Sequence, residues 1–75
     1  MDEHNMLHKA NVIASFFAAY PHDEAVAGIA NHIRLYWVPR MRAQLIEYVQ
    51  AHGSAGLNEL VPDAVARLEM PVIRT

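Results

Sequence analysis

Two helices and the break between them are predicted from residues 32–42, which read His32-Ile33-Arg34-Leu35-Tyr36-Trp37-Val38-Pro39-Arg40-Met41-Arg42. This stretch contains the single Trp and three of the six Lys and Arg residues of the chain. Because proline disfavours the α conformation in the residue before it, Val38 is expected to interrupt a helix. Pro39 suits the first turn of a new helix, where its missing N–H costs nothing.

Upstream, apolar residues at spacings of three and four predict a first helix from about His4 to Tyr20, stopped by Pro21. Asp23 is expected to cap the second helix. Gly28 costs about 1 kcal/mol relative to Ala inside a helix, and a close backbone contact would explain its presence. The predicted buried stripes are Met6, Ala10, Ile13, Phe17 and Tyr20, then Val26, Ile29, Ile33 and Trp37.

Downstream, a third helix is predicted from Pro39 to about Ala51, with Gly53 suited to a left-handed cap. A fourth helix is predicted from about Asn58, as a possible cap, to Glu69. Their inward residues are expected to be Met41, Leu45, Tyr48 or Val49, and His52, then Leu60, Ala64, Val65 and Leu68.

Size and composition favour one small all-α domain of three to four helices. The chain has 75 residues and no Cys, so it has no disulfide or thiolate staple. Its apolar fraction of 53% is high for so small a chain and indicates more than one apolar face. A single domain is predicted over residues 1–75, with flexible ends at about 1–4 and 70–75.

The charge balance excludes several classes of partner. The net charge is −2 with His neutral, which argues against nonspecific binding to nucleic acid. The acidic start, Met1-Asp2-Glu3, is unlike a secretory signal, and the early apolar run from Phe16 to Tyr20 is too short to span a membrane. A cytoplasmic protein without a membrane partner is expected.

Candidate catalytic and metal sites are weak. His4 and His8 could share a helix face, but a metal site needs three or four ligands, so a solvated helix start is the better interpretation. His32 has no recognisable nucleophile beside it. Aromatic residues at helical spacing are usually core rather than a cofactor-stacking cluster, and this applies to Phe16, Phe17 and Tyr20.

A partner interface is the sharper hypothesis for the opening stretch, because Trp and Arg are typical anchors of protein interfaces. The alternative for the arginines is solvated guanidiniums beside Glu47 or Asp63. The functional interpretation is recognition of carboxylate or phosphate on a partner. For the Trp, a place in the chain's own core remains open. The candidate interface residues are His32, Arg34, Trp37, Arg40 and Arg42.

Three strings carry a resemblance to a known family. They are Ala10-Asn11 with Phe16-Phe17, the run from Glu24 to Ile33, and Trp37-Val38-Pro39-Arg40-Met41-Arg42-Ala43-Gln44-Leu45. With Gly56-Leu57 and Ala64-Val65-Ala66-Arg67-Leu68, the chain resembles the delta subunit of NAD-dependent (molybdenum) formate dehydrogenase over about residues 6–68.

This resemblance implies a small, cofactor-free accessory subunit of a cytoplasmic enzyme complex. In that family the alpha subunit carries bis-molybdopterin guanine dinucleotide and iron–sulfur clusters. The beta and gamma subunits carry FMN and further clusters that lead to NAD. The delta subunit is associated with assembly, cofactor maturation and stability of the large subunit. The alternative is a free-standing helical adaptor or regulator, possibly homodimeric, and a catalytic role ranks third.

Overall fold

The computed structural model describes residues 2–71, which form four α-helices joined by short connections. The helices are α1 (Glu3–Phe17), α2 (His22–Tyr36), α3 (Pro39–His52) and α4 (Leu60–Val65). No strand occurs within this range. The prediction of an all-α domain with a break between the second and third helices is therefore confirmed. Of the predicted flexible ends, residues 1 and 72–75 lie outside the described residues.

α1 begins at a side-chain cap and ends earlier than the predicted stop at Tyr20. The Asp2 carboxylate accepts a hydrogen bond from the Asn5 backbone N–H at 2.9 Å, which satisfies a donor that every helix start leaves unpaired. The helix ends at Phe17, and the Tyr20 amide donates to the Phe17 carbonyl at 3.0 Å in a turn. Tyr20 therefore does not continue the buried stripe. The buried residues of α1 are Met6, Ala10, Ile13 and Ala14.

α2 supplies the centre of the core, although it begins differently from the prediction. The Ala25 amide already donates to the Pro21 carbonyl at 2.8 Å, so Asp23 lies inside the first turn and is not the cap. No side chain caps this helix start. The predicted stripe is confirmed, since four residues are almost fully buried: Val26, Ile29, Ile33 and Trp37.

Gly28 allows α1 and α2 to pack closely. A Cβ atom built on Gly28 would lie 2.4 Å from Cε1 and 2.7 Å from Cδ1 of the Phe17 ring. Carbon atoms at optimal non-bonded separation are about 3.5–4.0 Å apart, so no side chain fits while the ring stays in place. A close contact at this glycine was expected from a backbone, and the structure shows that it is made by the Phe17 ring instead.

The break between α2 and α3 consists of two extended residues. Trp37 has φ −89° and ψ 135°, and Val38 has φ −66° and ψ 153°. Pro39 is the first residue of α3, as predicted. The buried residues of this helix are Ala43, Leu45 and Ile46. The predicted inward position of His52 is wrong, because its side chain is exposed and its ring lies 4.8 Å from that of Tyr48.

α4 is shorter than predicted. The Arg67 amide donates to the Ala64 carbonyl at 3.0 Å and the Leu68 amide to the Val65 carbonyl at 2.9 Å. These are three-residue spacings, so the α-helix gives way to tighter turns. The Asn58 side chain accepts from the Leu60 N–H at 2.9 Å near the helix start. Three residues of α4 are buried: Val61, Ala64 and Val65.

One side chain on α1 holds the connection between α3 and α4. The Asn11 amide nitrogen donates to the Gly56 carbonyl at 2.9 Å, and its amide oxygen accepts from the Asn58 N–H at 2.7 Å. The connection turns at Gly53 and Gly56, whose φ angles of 64° and 73° favour glycine. The Asn11 bridge therefore fixes a loop 45 residues away in sequence.

The helices share one apolar core, with α2 packed against both α1 and α4. α3 is separated from the end of α2 by two residues and makes its main contacts with α1 and α4. The resulting body is elongated, with principal extents of 39 × 22 × 18 Å. This arrangement leaves one side of α1 and the end of α2 uncovered.

Candidate partner-binding surfaces

Trp37 lies where the core reaches the surface. Its side chain is 6% exposed and belongs to the buried cluster formed by all four helices. Its backbone N–H donates to the Ile33 carbonyl at 3.0 Å and closes the last turn of α2. The sequence left open whether Trp37 is a core residue or an interface anchor. The structure places its ring in the core, with only an edge available to a partner.

That edge contributes to an open apolar cleft of about 660 Å³, which we call the aromatic groove. Its apolar lining consists of Val12, Ile13, Phe16, Phe17, Tyr20 and Trp37. His8 and Lys9 from α1 and His32 from α2 form its polar margin. The groove lies along α1 beside the C-terminal end of α2.

The groove corrects the expectation that the aromatic residues of α1 are core. Phe16 is 74% exposed and Tyr20 is 54% exposed, whereas Phe17 packs against the core. Phe16 lies one turn beyond Val12 on the outer face, and Tyr20 follows the end of the helix. Large exposed apolar patches on small proteins usually mark interaction sites. Phe16 and Tyr20, which were expected in the core, are therefore the residues that indicate a binding surface.

Further apolar side chains extend from the end of α2. Leu35, Tyr36 and Val38 are 65%, 72% and 63% exposed. The Tyr36 ring lies 4.8 Å from the His32 imidazole, in a tilted arrangement. Since His32 also lines the aromatic groove, Tyr36 continues the apolar surface past the groove margin.

A second cleft, of about 530 Å³, contains three arginines and is called here the basic pocket. Arg34 and Arg42 line it, as does Arg67, which follows α4. Apolar residues and one acid complete it: Leu68, Glu69, Met70 and Pro71. The basic pocket and the aromatic groove have no lining residue in common.

The arginines are only partly those expected from the sequence. Arg34 and Arg42 come together, whereas Arg40 is exposed and lines neither surface. Arg67 was missed because nothing in its local sequence indicates that the end of α4 packs beside the end of α2. Tertiary packing alone creates this neighbour.

Neither Glu47 nor Asp63, the acids suggested as partners for the arginines, forms an ion pair with Arg34, Arg40 or Arg42 in the described part of the chain. Asp63 lies 3.3 Å from His22, and both side chains are more than half exposed. Glu47 forms no ion pair within the described residues. One basic pocket arginine lies near an acid outside the lining: Oδ1 of Asp23 is 3.9 Å from Nη2 of Arg67, and the Asp23 side chain is 91% exposed.

No cluster of three or more His, Asp or Glu side chains that could hold a metal ion occurs among residues 2–71. His4 and His8 are both exposed on α1. Iron–sulfur clusters are usually held by Cys thiolates, and the sequence has no Cys. The donors of this chain therefore do not suit such a cluster. Within the same residues, no helix is long and apolar enough to cross a membrane.

Comparison with known protein families identifies a match. The profile of the family described as NADH-dependent formate dehydrogenase delta subunit FdsD matches residues 5–65, which is most of the chain. No curated protein and no solved structure matches it. The matched range covers α1 from Asn5 onward and all of α2, α3 and α4. It includes every lining residue of the aromatic groove, but only Arg34 and Arg42 of the basic pocket. The chain therefore belongs to the family of delta subunits of NADH-dependent formate dehydrogenase.

Proposed function

We propose that this chain is a cofactor-free accessory subunit that binds the molybdenum-containing alpha subunit of a cytoplasmic NAD-dependent formate dehydrogenase. In that complex it supports assembly, cofactor maturation and stability of the alpha subunit. Bis-molybdopterin guanine dinucleotide, iron–sulfur clusters, FMN and NAD belong to the alpha, beta and gamma subunits. Membership of the delta-subunit family supports association with a formate dehydrogenase complex. The lack of Cys supports the proposal that this chain binds no iron–sulfur cluster.

The observation that carries the proposal is the exposure of the aromatic groove. Phe16 and Tyr20 hold large apolar area in water, and burying a Phe-sized side chain contributes about 1.5–3 kcal/mol. Phe16 lies on α1, which is held by the core, and Tyr20 lies in a hydrogen-bonded turn just after α1, so little backbone entropy is lost on binding. Such rigid aromatic residues are typical interface hot spots.

The remaining candidate residues take different places in this proposed interface. His32 and the edge of Trp37 lie at the groove and contact the partner beside Phe16. Arg34 and Arg42 face a separate cleft, and Arg40 lies on the exposed start of α3. The aromatic groove thus supplies most of the affinity, and the arginines supply charge recognition at a second contact.

Co-purification tests the groove directly. Tagged chain is co-expressed with the alpha, beta and gamma subunits of the formate dehydrogenase from the same organism, and recovered alpha subunit is quantified by mass spectrometry. The double change Phe16→Ser and Tyr20→Ser is expected to weaken association by about thirtyfold or more, equivalent to about 2 kcal/mol. Leu35→Ser is the matched control, since it removes an equally exposed apolar side chain outside the groove.

Two results would contradict the groove assignment. One is full recovery of alpha subunit with the double variant, and the other is an equal loss with Leu35→Ser. Circular dichroism of each variant shows whether the helices are intact. The role in maturation is measured separately, as molybdenum per alpha subunit in cells with and without this chain. Unchanged molybdenum content would restrict the role to binding and stability.

The free-standing adaptor remains the second candidate, because the exposed aromatic groove could also be buried between two copies of this chain in a homodimer. Light scattering coupled to size-exclusion chromatography distinguishes the two. A stable dimer that Phe16→Ser dissociates, together with no recovery of formate dehydrogenase subunits, would support the adaptor over the accessory subunit.

A further inference from the structure

The basic pocket has guanidinium groups that are held in place by backbone carbonyls. Nη1 of Arg42 donates to the Trp37 carbonyl at 2.7 Å and to the Arg34 carbonyl at 3.3 Å. Nη2 of Arg34 donates to the Arg67 carbonyl at 3.3 Å. Each guanidinium has five N–H donors, so these bonds leave several free. The pocket is therefore partly organised before any ligand arrives.

These anchoring bonds leave the positive charge uncompensated. Backbone carbonyls are neutral, and neither Arg34 nor Arg42 has a carboxylate within 4.0 Å in the described part of the chain. Arg67 has only the loose contact with the exposed Asp23, and Glu69 is the one acid in the lining. Three guanidiniums thus lie near two carboxylates, those of Glu69 and the exposed Asp23, in a chain whose net charge is −2.

The rest of the lining indicates what kind of anion fits. Leu68, Met70 and Pro71 give the cleft an apolar wall next to the arginines. A planar guanidinium fork matches a carboxylate in a two-bond arrangement. An acidic side chain with an apolar neighbour in sequence fills both parts of such a cleft. A polyanion such as nucleic acid would instead be repelled by the net negative charge of the chain.

We propose that the basic pocket binds an acidic segment of a protein partner, with Arg34 and Arg67 contacting its carboxylates. Arg42 is a positioning residue, because its bonds join the end of α2 to the start of α3. An apolar side chain of the segment packs on Leu68 and Met70. The proposal rests on the proposed function only in taking the segment to belong to another subunit of the complex.

A peptide titration tests this site on the isolated full-length chain. The probe is a blocked peptide with three Glu around one Leu, and its Gln counterpart is the uncharged control. Arginine Nε–H signals are followed by ¹H–¹⁵N NMR at low salt. The Glu peptide is expected to shift the Arg34 and Arg67 signals, and the Gln peptide to bind at least about tenfold more weakly, as for loss of one charge-assisted bond.

Matched charge removals locate the binding. Arg34→Gln and Arg67→Gln are each expected to weaken binding of the Glu peptide about fivefold to tenfold. Arg40→Gln removes the same charge from an exposed residue outside the pocket and is expected to change it less than about twofold. Equal weakening by all three would mean general charge attraction and would overturn the proposal.

Inorganic phosphate and pyrophosphate are titrated in the same way, to compare phosphate anions with the carboxylate peptide. Tighter binding of pyrophosphate than of the Glu peptide would make this a phosphate site, and no binding of the peptide at millimolar concentration would remove the site altogether. The outcome is independent of the co-purification test, because Phe16→Ser and Tyr20→Ser leave the basic pocket unchanged. Peptide binding without alpha-subunit recovery would contradict the proposed function alone.

Discussion

The substitution Gly28→Ala tests the closest contact between α1 and α2. The new Cβ would lie 2.4 Å from Cε1 of Phe17, so the ring must move by about 1 Å to reach ordinary contact. Forcing extra carbon into a packed interface costs about 1–3 kcal/mol. Replacing a helical Gly by Ala returns about 1 kcal/mol through helix propensity. We therefore expect net destabilisation of about 1 kcal/mol, which lowers Tm by roughly 4–8 °C in a domain of this size.

A double-mutant cycle isolates the steric part of this effect. In a Phe17→Ala background the ring is gone, and Gly28→Ala is expected to stabilise by about 1 kcal/mol. The two backgrounds should thus differ by about 2 kcal/mol, which exceeds the error of chemical unfolding measurements. The milder Phe17→Leu serves as a second background if the Ala variant unfolds too readily. Equal effects of Gly28→Ala in all backgrounds would refute the contact as the reason for the glycine.

Other substitutions test the bonds that hold the connections. Asn11→Ala removes both hydrogen bonds to the α3–α4 connection and is expected to cost about 1–2 kcal/mol in urea unfolding, whereas the exposed Asn31→Ala stays within about 0.5 kcal/mol. Arg42→Ala frees the Trp37 carbonyl and is expected to lower Tm, while Arg40→Ala leaves Tm nearly unchanged; equal shifts would contradict the structural role of Arg42. Asp2→Ala removes the α1 cap and is expected to cost about 1 kcal/mol, seen as lower helicity by circular dichroism.

The core of α2 could be predicted from sequence because its apolar residues follow the helical period without interruption. Val26, Ile29 and Ile33 repeat at three and four residues, and Trp37 extends the pattern through the last turn. Pro39 marks the break by local chemistry alone. Features that depend on burial patterns or backbone restrictions within a few residues can therefore be predicted from the sequence.

The aromatic groove and the basic pocket could not be predicted in the same way. Phe16 and Tyr20 have the composition of core residues, and only the arrangement of the helices shows that both stay exposed beside the end of α2. Arg67 joins Arg34 through the fold, across 33 residues of sequence. The partner interface predicted around the end of α2 and the start of α3 stays a prediction, and the structure divides its residues between two separate clefts, with Arg40 lining neither.

The Asn11 bridge has a consequence for when the chain can fold during synthesis. Asn11 finds its two backbone partners only after Gly56 and Asn58 have left the ribosome, and α4 completes the core later still. Closing such a long loop carries an entropic cost that late contacts must offset. We therefore expect an emerging nascent chain to hold partly formed helices with uncovered apolar sides until residues 56–65 have left the ribosome.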